Sequence, residues 1–80
     1  MIYSLNGNNM ALDLVSCMKG FVAVAKYGSF YRASQHLYIT PPVLTKQIQR
    51  LESYIGKVLF ERTTRAVHLT TIGKSYLTHV

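Results

Sequence analysis

Between Leu12 and Tyr27, apolar residues recur at Val15, Met18, Val22 and Ala25, with Leu14, Cys17 and Phe21 alongside. This broad stripe at helical spacing predicts a first helix. Gly28 ends it, since glycine enters the left-handed conformation that closes many helices at little cost. Ser29 directly behind is a good N-cap, and Phe30, Ala33 and Leu37 mark the buried side of a short second helix. Tyr38 and Ile39 follow as a tight connection.

The next stretch, TPPVLTKQIQR from Thr40 to Arg50, opens on two prolines. Thr40 is a favoured N-cap, so Pro41 falls at the first helical position and Pro42 at the second, where backbone amides have no intrahelical partner anyway. Each ring fixes a helical φ, and Pro41 pushes Thr40 toward the extended conformation of a cap. The prolines thus define a sharp helix start. Leu44, Ile48, Leu51 and Ile55 then bury one face, while Thr45, Lys46, Gln49 and Arg50 lie off it, and Gly56 stops the helix.

VLFERTTRAVHLT reads as two short strands, Val58 to Glu61 and Ala66 to Leu69, around a Thr-Thr-Arg turn that lacks the Asn-Gly signal of a tight hairpin. Thr70 is another N-cap, and the helix behind it, with Ile72, Tyr76 and Val80 on one side, runs off the end of the sequence. A helix begun and not completed suggests a piece of something longer. Residues 1–11, with Asn6-Gly7 and Asn8-Asn9, are expected to be a flexible lead-in. The predicted fold is mainly α: a winged helix-turn-helix of three helices and a two-stranded wing over 12–69, followed by the start of a linker helix over 70–80.

Charge narrows the partners. Eighty residues allow one domain, and nine Lys and Arg against three Asp and Glu give +6, spread from Lys19 to Lys74. Such an excess attracts nucleic acid or an anionic membrane, or is solvated surface with no partner. No apolar run approaches the roughly 20 residues of a membrane span, and MIYSLNGNNM lacks the regions of a signal peptide. The single Cys17 precludes an internal disulfide. A cytoplasmic protein without a membrane partner is expected.

A capped, basic second helix of a helix-turn-helix suits the major groove of B-form DNA, where its first turns meet base edges. Its positive dipole end would point at the duplex. Thr45 can donate, accept or touch a thymine methyl; Lys46 can reach guanine or phosphate; Gln49 can pair with adenine. The same residues on an isolated exposed helix merely keep it soluble. Arg62 and Arg65, bracketing Thr63 and Thr64, form either a solvated loop or a contact to a minor groove or its phosphates. Arg32 can touch a phosphate or pair with a carboxylate. Tyr31, Tyr38 and Tyr54 read as rim packing more readily than as stacking platforms.

Catalysis finds no footing, because Asp13, Glu52 and Glu61 lie in three different predicted elements. His36, His68 and His79 lack metal-ligand spacing, Cys17 sits on an apolar stripe, and no glycine-rich phosphate loop occurs. Neither an enzyme nor a metal or cofactor site is expected.

Phe21, Val24-Ala25, Gly28-Ser29-Phe30, Ala33, Leu37, Leu51-Glu52, Gly56, Leu59-Phe60, Arg62, Leu69-Thr70 and Gly73 together resemble the N-terminal domain of LysR-type transcriptional regulators, over roughly residues 12–80. The resemblance implies a helix-turn-helix at 29–48, a wing at 57–69 and a linker helix from 70. It implies sequence-specific binding of double-stranded DNA in bacteria, on a two-fold symmetric operator, by a regulator that forms a homodimer or tetramer at full length. A small-molecule effector would act only through a C-terminal domain absent here. It implies contacts from Pro42, Thr45 and Lys46, more weakly from Gln49, and from Arg62 and Arg65 of the wing; with the residues read from position alone, the expected DNA-contacting set is Arg32, Thr40, Pro41, Pro42, Thr45, Lys46, Gln49, Arg50, Arg62, Thr63, Thr64 and Arg65. Pro41 departs from the family's usual glutamine, which shifts base reading toward Thr45, Lys46 and DNA shape; Ser34 replaces the usual second alanine of helix two. The alternative is a winged-helix module that binds other proteins, which needs no positive recognition face.

Overall fold

A computed structural model describes the backbone of residues 2–63 and 66–79, and side chains from residue 14 onward within those ranges. The chain order is α1 (Ile2–Tyr27), α2 (Phe30–Leu37), α3 (Pro41–Ile55), β1 (Phe60–Arg62), β2 (Val67–Leu69) and α4 (Thr71–Leu77). The fold is mainly helical, with α1, α2 and α3 packed on one another and the antiparallel pair β1–β2 beside them as a wing.

The caps form where the sequence places them. Ser29 Oγ accepts from the Arg32 N–H at 3.2 Å, Thr40 Oγ1 from the Val43 N–H at 3.4 Å, and Thr70 Oγ1 from the Gly73 N–H at 2.9 Å. Each relieves one of the unpaired amides of a first helical turn. At the other ends, Gly28 and Gly56 take φ of 64° and 78°, and the Gly56 N–H donates to the Glu52 carbonyl at 2.7 Å. The turn between α2 and α3 closes differently. Tyr38, not a glycine, takes φ 57°, while the Ile39 N–H donates to the Ser34 carbonyl at 3.0 Å. This is a Schellman-type closure on a residue that carries a Cβ penalty.

The core joins all three helices to the wing: Cys17, Phe21 and Val24 from α1, Ala33 from α2, Leu44, Ile48 and Leu51 from α3, and Leu59 and Phe60 at the wing's entry. Phe21 packs against Phe60 at 5.3 Å between centroids and edge-on against Tyr76 at 5.4 Å. Edge-to-face pairs of this kind add about 0.5–1.5 kcal/mol each beyond the area they bury. Gly20 lets α1 and α3 approach, since a Cβ there would lie 2.8 Å from Leu44 Cδ1. Ser34, the one buried polar residue among the described side chains, donates its hydroxyl to the Tyr31 carbonyl at 2.7 Å, which accounts for a serine in an alanine-sized site.

Several expectations need correction. The segment read as a flexible lead-in is helical backbone from Ile2 on, because extending an existing helix fixes one residue per hydrogen bond and escapes the cost of nucleation. The apolar stripe of α1 is not buried along its whole width: Val15 and Val22 are 49% and 39% exposed, and the buried side is turned toward Cys17, Gly20, Phe21 and Val24, where α3 and the wing cover it. The first strand begins at Phe60, not Val58, since the Leu59 N–H donates to Glu52 and the carbonyls of Val58 and Leu59 accept from Thr70. The last helix closes at Leu77: the Thr78 hydroxyl donates to the Ser75 carbonyl at 2.7 Å and the His79 N–H to the Tyr76 carbonyl at 3.0 Å. Val80 lies outside the described residues, as do Thr64 and Arg65 at the wing tip.

Candidate nucleic-acid interface

Helix α3 buries Leu44, Ile48 and Leu51, so its opposite side is left to solvent. Residues 42, 46, 49 and 53 step by four, three and four along that side, and Pro42, Lys46, Gln49 and Ser53 are all exposed. Arg50 is exposed beside them and Thr45 is half-buried at the margin. The helix start is exposed too, through Thr40, Pro41, Pro42 and Val43. Val43, 45% exposed in the first turn, was not anticipated as part of this face. Its signal was available: it lies off the Leu44–Ile48–Leu51 stripe.

The electrostatics are one-sided. No acidic residue occupies the first turn of α3, so the positive end of its dipole is uncompensated. Its single carboxylate, Glu52, is turned away from the exposed face toward the wing, where it accepts from the Leu59 N–H at 2.8 Å and the Phe60 N–H at 3.4 Å. Sequence reading found no role for Glu52 beyond the family pattern, because the bond joins residues in different elements.

The wing sits where β1 pairs with β2 in the register Phe60 to Leu69, Glu61 to His68 and Arg62 to Val67. Arg62 is exposed, and its guanidinium carbon lies 4.3 Å from the ring centroid of Phe30 at the start of α2. A stacked guanidinium keeps its in-plane N–H donors directed outward. Thr63 shapes the turn: its N–H donates to the Ala66 carbonyl at 2.9 Å and its Oγ1 accepts from the Ala66 N–H at 3.0 Å. Arg32, in the first turn of α2, is exposed. Tyr31, Tyr38 and Tyr54, expected as rim packing, stand 62%, 94% and 69% exposed.

Cys17 is fully buried, and burial pushes its thiol above the ordinary range, the opposite of what a nucleophile needs. Among the described residues no group of His, Cys, Asp and Glu is arranged to hold a metal ion, and no helix is long and apolar enough to cross a membrane.

A capped, basic α3 following a short α2, with a two-stranded wing behind it, defines a winged helix-turn-helix. The chain belongs to the lysR family of bacterial regulatory helix-turn-helix proteins, whose pattern it matches over residues 17–74. It is 55% identical over 60 residues to the HTH-type transcriptional regulator TfdT of Cupriavidus pinatubonensis, and 47% identical over 60 residues to ClcR of Pseudomonas putida. Each alignment takes in 75% of this chain, but only 26% of TfdT and 20% of ClcR, so the chain spans about a quarter or less of these relatives. In three dimensions it is similar to the DNA-binding domain of CbnR in a crystal structure with DNA, with a TM-score of 0.78 at 38% identity, covering 80% of this chain and 74% of that one. It is likewise similar to the BenM DNA-binding domain on benA site 1 DNA, with a TM-score of 0.76 at 38% identity, covering 80% and 72%.

Proposed function

We propose that this chain binds double-stranded DNA sequence-specifically, with α3 in the major groove and the wing on the minor groove or its phosphates, as part of a bacterial transcriptional regulator. The observation that carries this reading is the exposed Pro42–Lys46–Gln49 face, which begins at a proline-led, threonine-capped helix end and carries no carboxylate. The DNA complexes of the CbnR and BenM domains, which share the fold, support it.

Within this reading Thr45, Lys46 and Gln49 face base edges, and Pro41 and Pro42 set the depth at which the helix end meets the backbone. Arg32, Thr40 and Arg50 contact phosphates. Arg62, held on Phe30, presents its donors to the duplex next to Thr63, and Thr64 and Arg65 extend that contact in keeping with the family pattern. The longer regulator acts in the cytoplasm as a homodimer or tetramer on a two-fold symmetric operator, takes any small-molecule effector through a separate C-terminal domain, and has no catalytic activity.

The test is a titration of labelled duplex at several salt concentrations. If about six phosphates are neutralised, log K falls against log salt with a slope near −5, whereas binding indifferent to salt rules the proposal out. Selection from a random duplex pool is expected to return a two-fold symmetric consensus.

A further inference from the structure

The outer side of α1 is unlike the rest of the surface. Val15, Lys19, Val22 and Lys26 fall at intervals of four, three and four residues, so valines and lysines alternate along one line of the helix, and all four are exposed. Beside this line a groove of about 530 Å³ runs between α1 and α2, descending past half-buried Met18 and Leu37 to buried Ala23. Tyr27 and His36, stacked with ring centroids 4.1 Å apart, also line it. No carboxylate lines it among the described residues.

We propose that this groove docks one amphipathic, acidic helix of a partner protein. Valines seven residues apart and lysines seven residues apart are the repeat along which one helix lies against another at a shallow angle. From Val15 to Lys26 the line is about 16 Å long, or three turns of a partner helix. Apolar residues of that helix cover Val15, Val22 and the groove, while its carboxylates meet Lys19 and Lys26. A second copy of this chain does not fit, because two-fold pairing of this face gathers four lysines in one interface, each set against a valine or another lysine, with no carboxylate among the described lining residues to meet them. DNA satisfies the lysines but not the apolar strip. The proposal stands independently of the DNA reading, since none of these residues belongs to the α3 or wing face.

The probe is a synthetic helical peptide with leucines at heptad spacing flanked by glutamates, titrated into the 80-residue chain and followed by fluorescence anisotropy and amide shift mapping. Saturable binding is expected, with shifts confined to the outer side of α1 and the end of α2. Val22→Ser weakens it about tenfold, and Val15→Ser, at the more exposed valine, does the same should Val22→Ser disturb the fold. The double variant Lys19→Glu/Lys26→Glu loses the glutamate peptide and gains affinity for its lysine-flanked counterpart. Equal binding of a scrambled peptide of the same composition overturns the proposal, as does failure of the charge swap. So does sedimentation showing a dimer of the chain that Val22→Ser dissociates.

Discussion

The Glu52 carboxylate reaches from α3 to the backbone nitrogen of Leu59 at 2.8 Å, fixing the entry of the wing to that helix. One side chain thereby sets the spacing between the two surfaces assigned to DNA. Glu52→Ala leaves the Leu59 amide unpaired at a site covered by buried neighbours, and is expected to lower stability by about 1–3 kcal/mol. Glu52→Gln keeps an acceptor oxygen and loses less. Urea unfolding of the pair, with amide exchange at Leu59, checks both.

Gly73 is confined by close approach. A Cβ there would stand 2.2 Å from the Leu59 carbonyl oxygen and 3.0 Å from Leu69 Cδ2, and the carbonyl is backbone that cannot rotate aside. Gly73→Ala is expected to cost about 3 kcal/mol or to force α4 off the wing. Gly56→Ala, with open space around its Cβ but φ at 78°, costs only about 1 kcal/mol. Thermal unfolding of the two variants separates crowding from backbone preference.

Tyr38 holds a left-handed backbone conformation with its side chain 94% exposed. Packing gives little return for the strain. Tyr38→Gly is expected to raise stability by about 0.5–1 kcal/mol, after allowance for glycine's greater freedom in the unfolded chain. An unchanged urea midpoint would refute this.

In the proposed DNA-binding role, Lys46 reads bases and Arg32 positions the duplex. Lys46→Ala is expected to relax discrimination at one base position per half-site, by about 1–3 kcal/mol against mismatched sequences, whereas Arg32→Ala weakens all duplexes alike and lowers the salt slope by about one. Binding of a panel of single-substitution duplexes distinguishes the two patterns. Phe30→Leu, which removes the ring beneath Arg62, is expected to follow the uniform pattern.

Burial raises the Cys17 thiol above its ordinary range, which fixes the sign of its contribution to alkaline stability. The unfolded chain releases the thiol proton first as pH rises, so the stabilisation is complete below the ordinary thiol range and is lost as pH climbs through it toward the folded value. Relative to Cys17→Ala, the parent chain should therefore lose stability at alkaline pH but not at neutral pH. Thiol reagents should label Cys17 only as fast as the chain opens.

Much of this was legible in the sequence. Ser29, Thr40 and Thr70 cap, and Gly28 and Gly56 stop, because those signals act within one turn of chain. The α3 stripe was legible for the same reason. What escaped depends on contacts between elements. Helical spacing on α1 marks apolar residues without telling which of them a neighbour covers, so nothing in the stripe sets exposed Val15 and Val22 apart from buried Cys17 and Phe21. The Glu52 bond to Leu59, the Arg62 stack on Phe30 and the crowding at Gly73 arise only once the wing has folded back. Tyr38 was missed because a positive φ is ordinarily signalled by glycine or asparagine. Of the expected DNA-facing set, the described members are exposed except for half-buried Thr45, and Arg62 and Thr63 have structural duties as well.

Thr70 joins two parts of the molecule through three bonds: its N–H donates to the Leu59 carbonyl at 2.9 Å, its hydroxyl to the Val58 carbonyl at 2.7 Å, and the same oxygen accepts from Gly73. The wing's root and the first turn of α4 consequently move as one body. A torque applied to α4 from beyond the domain would be transmitted as a tilt of the wing, like a lever on a short pivot, and not be absorbed in a slack joint.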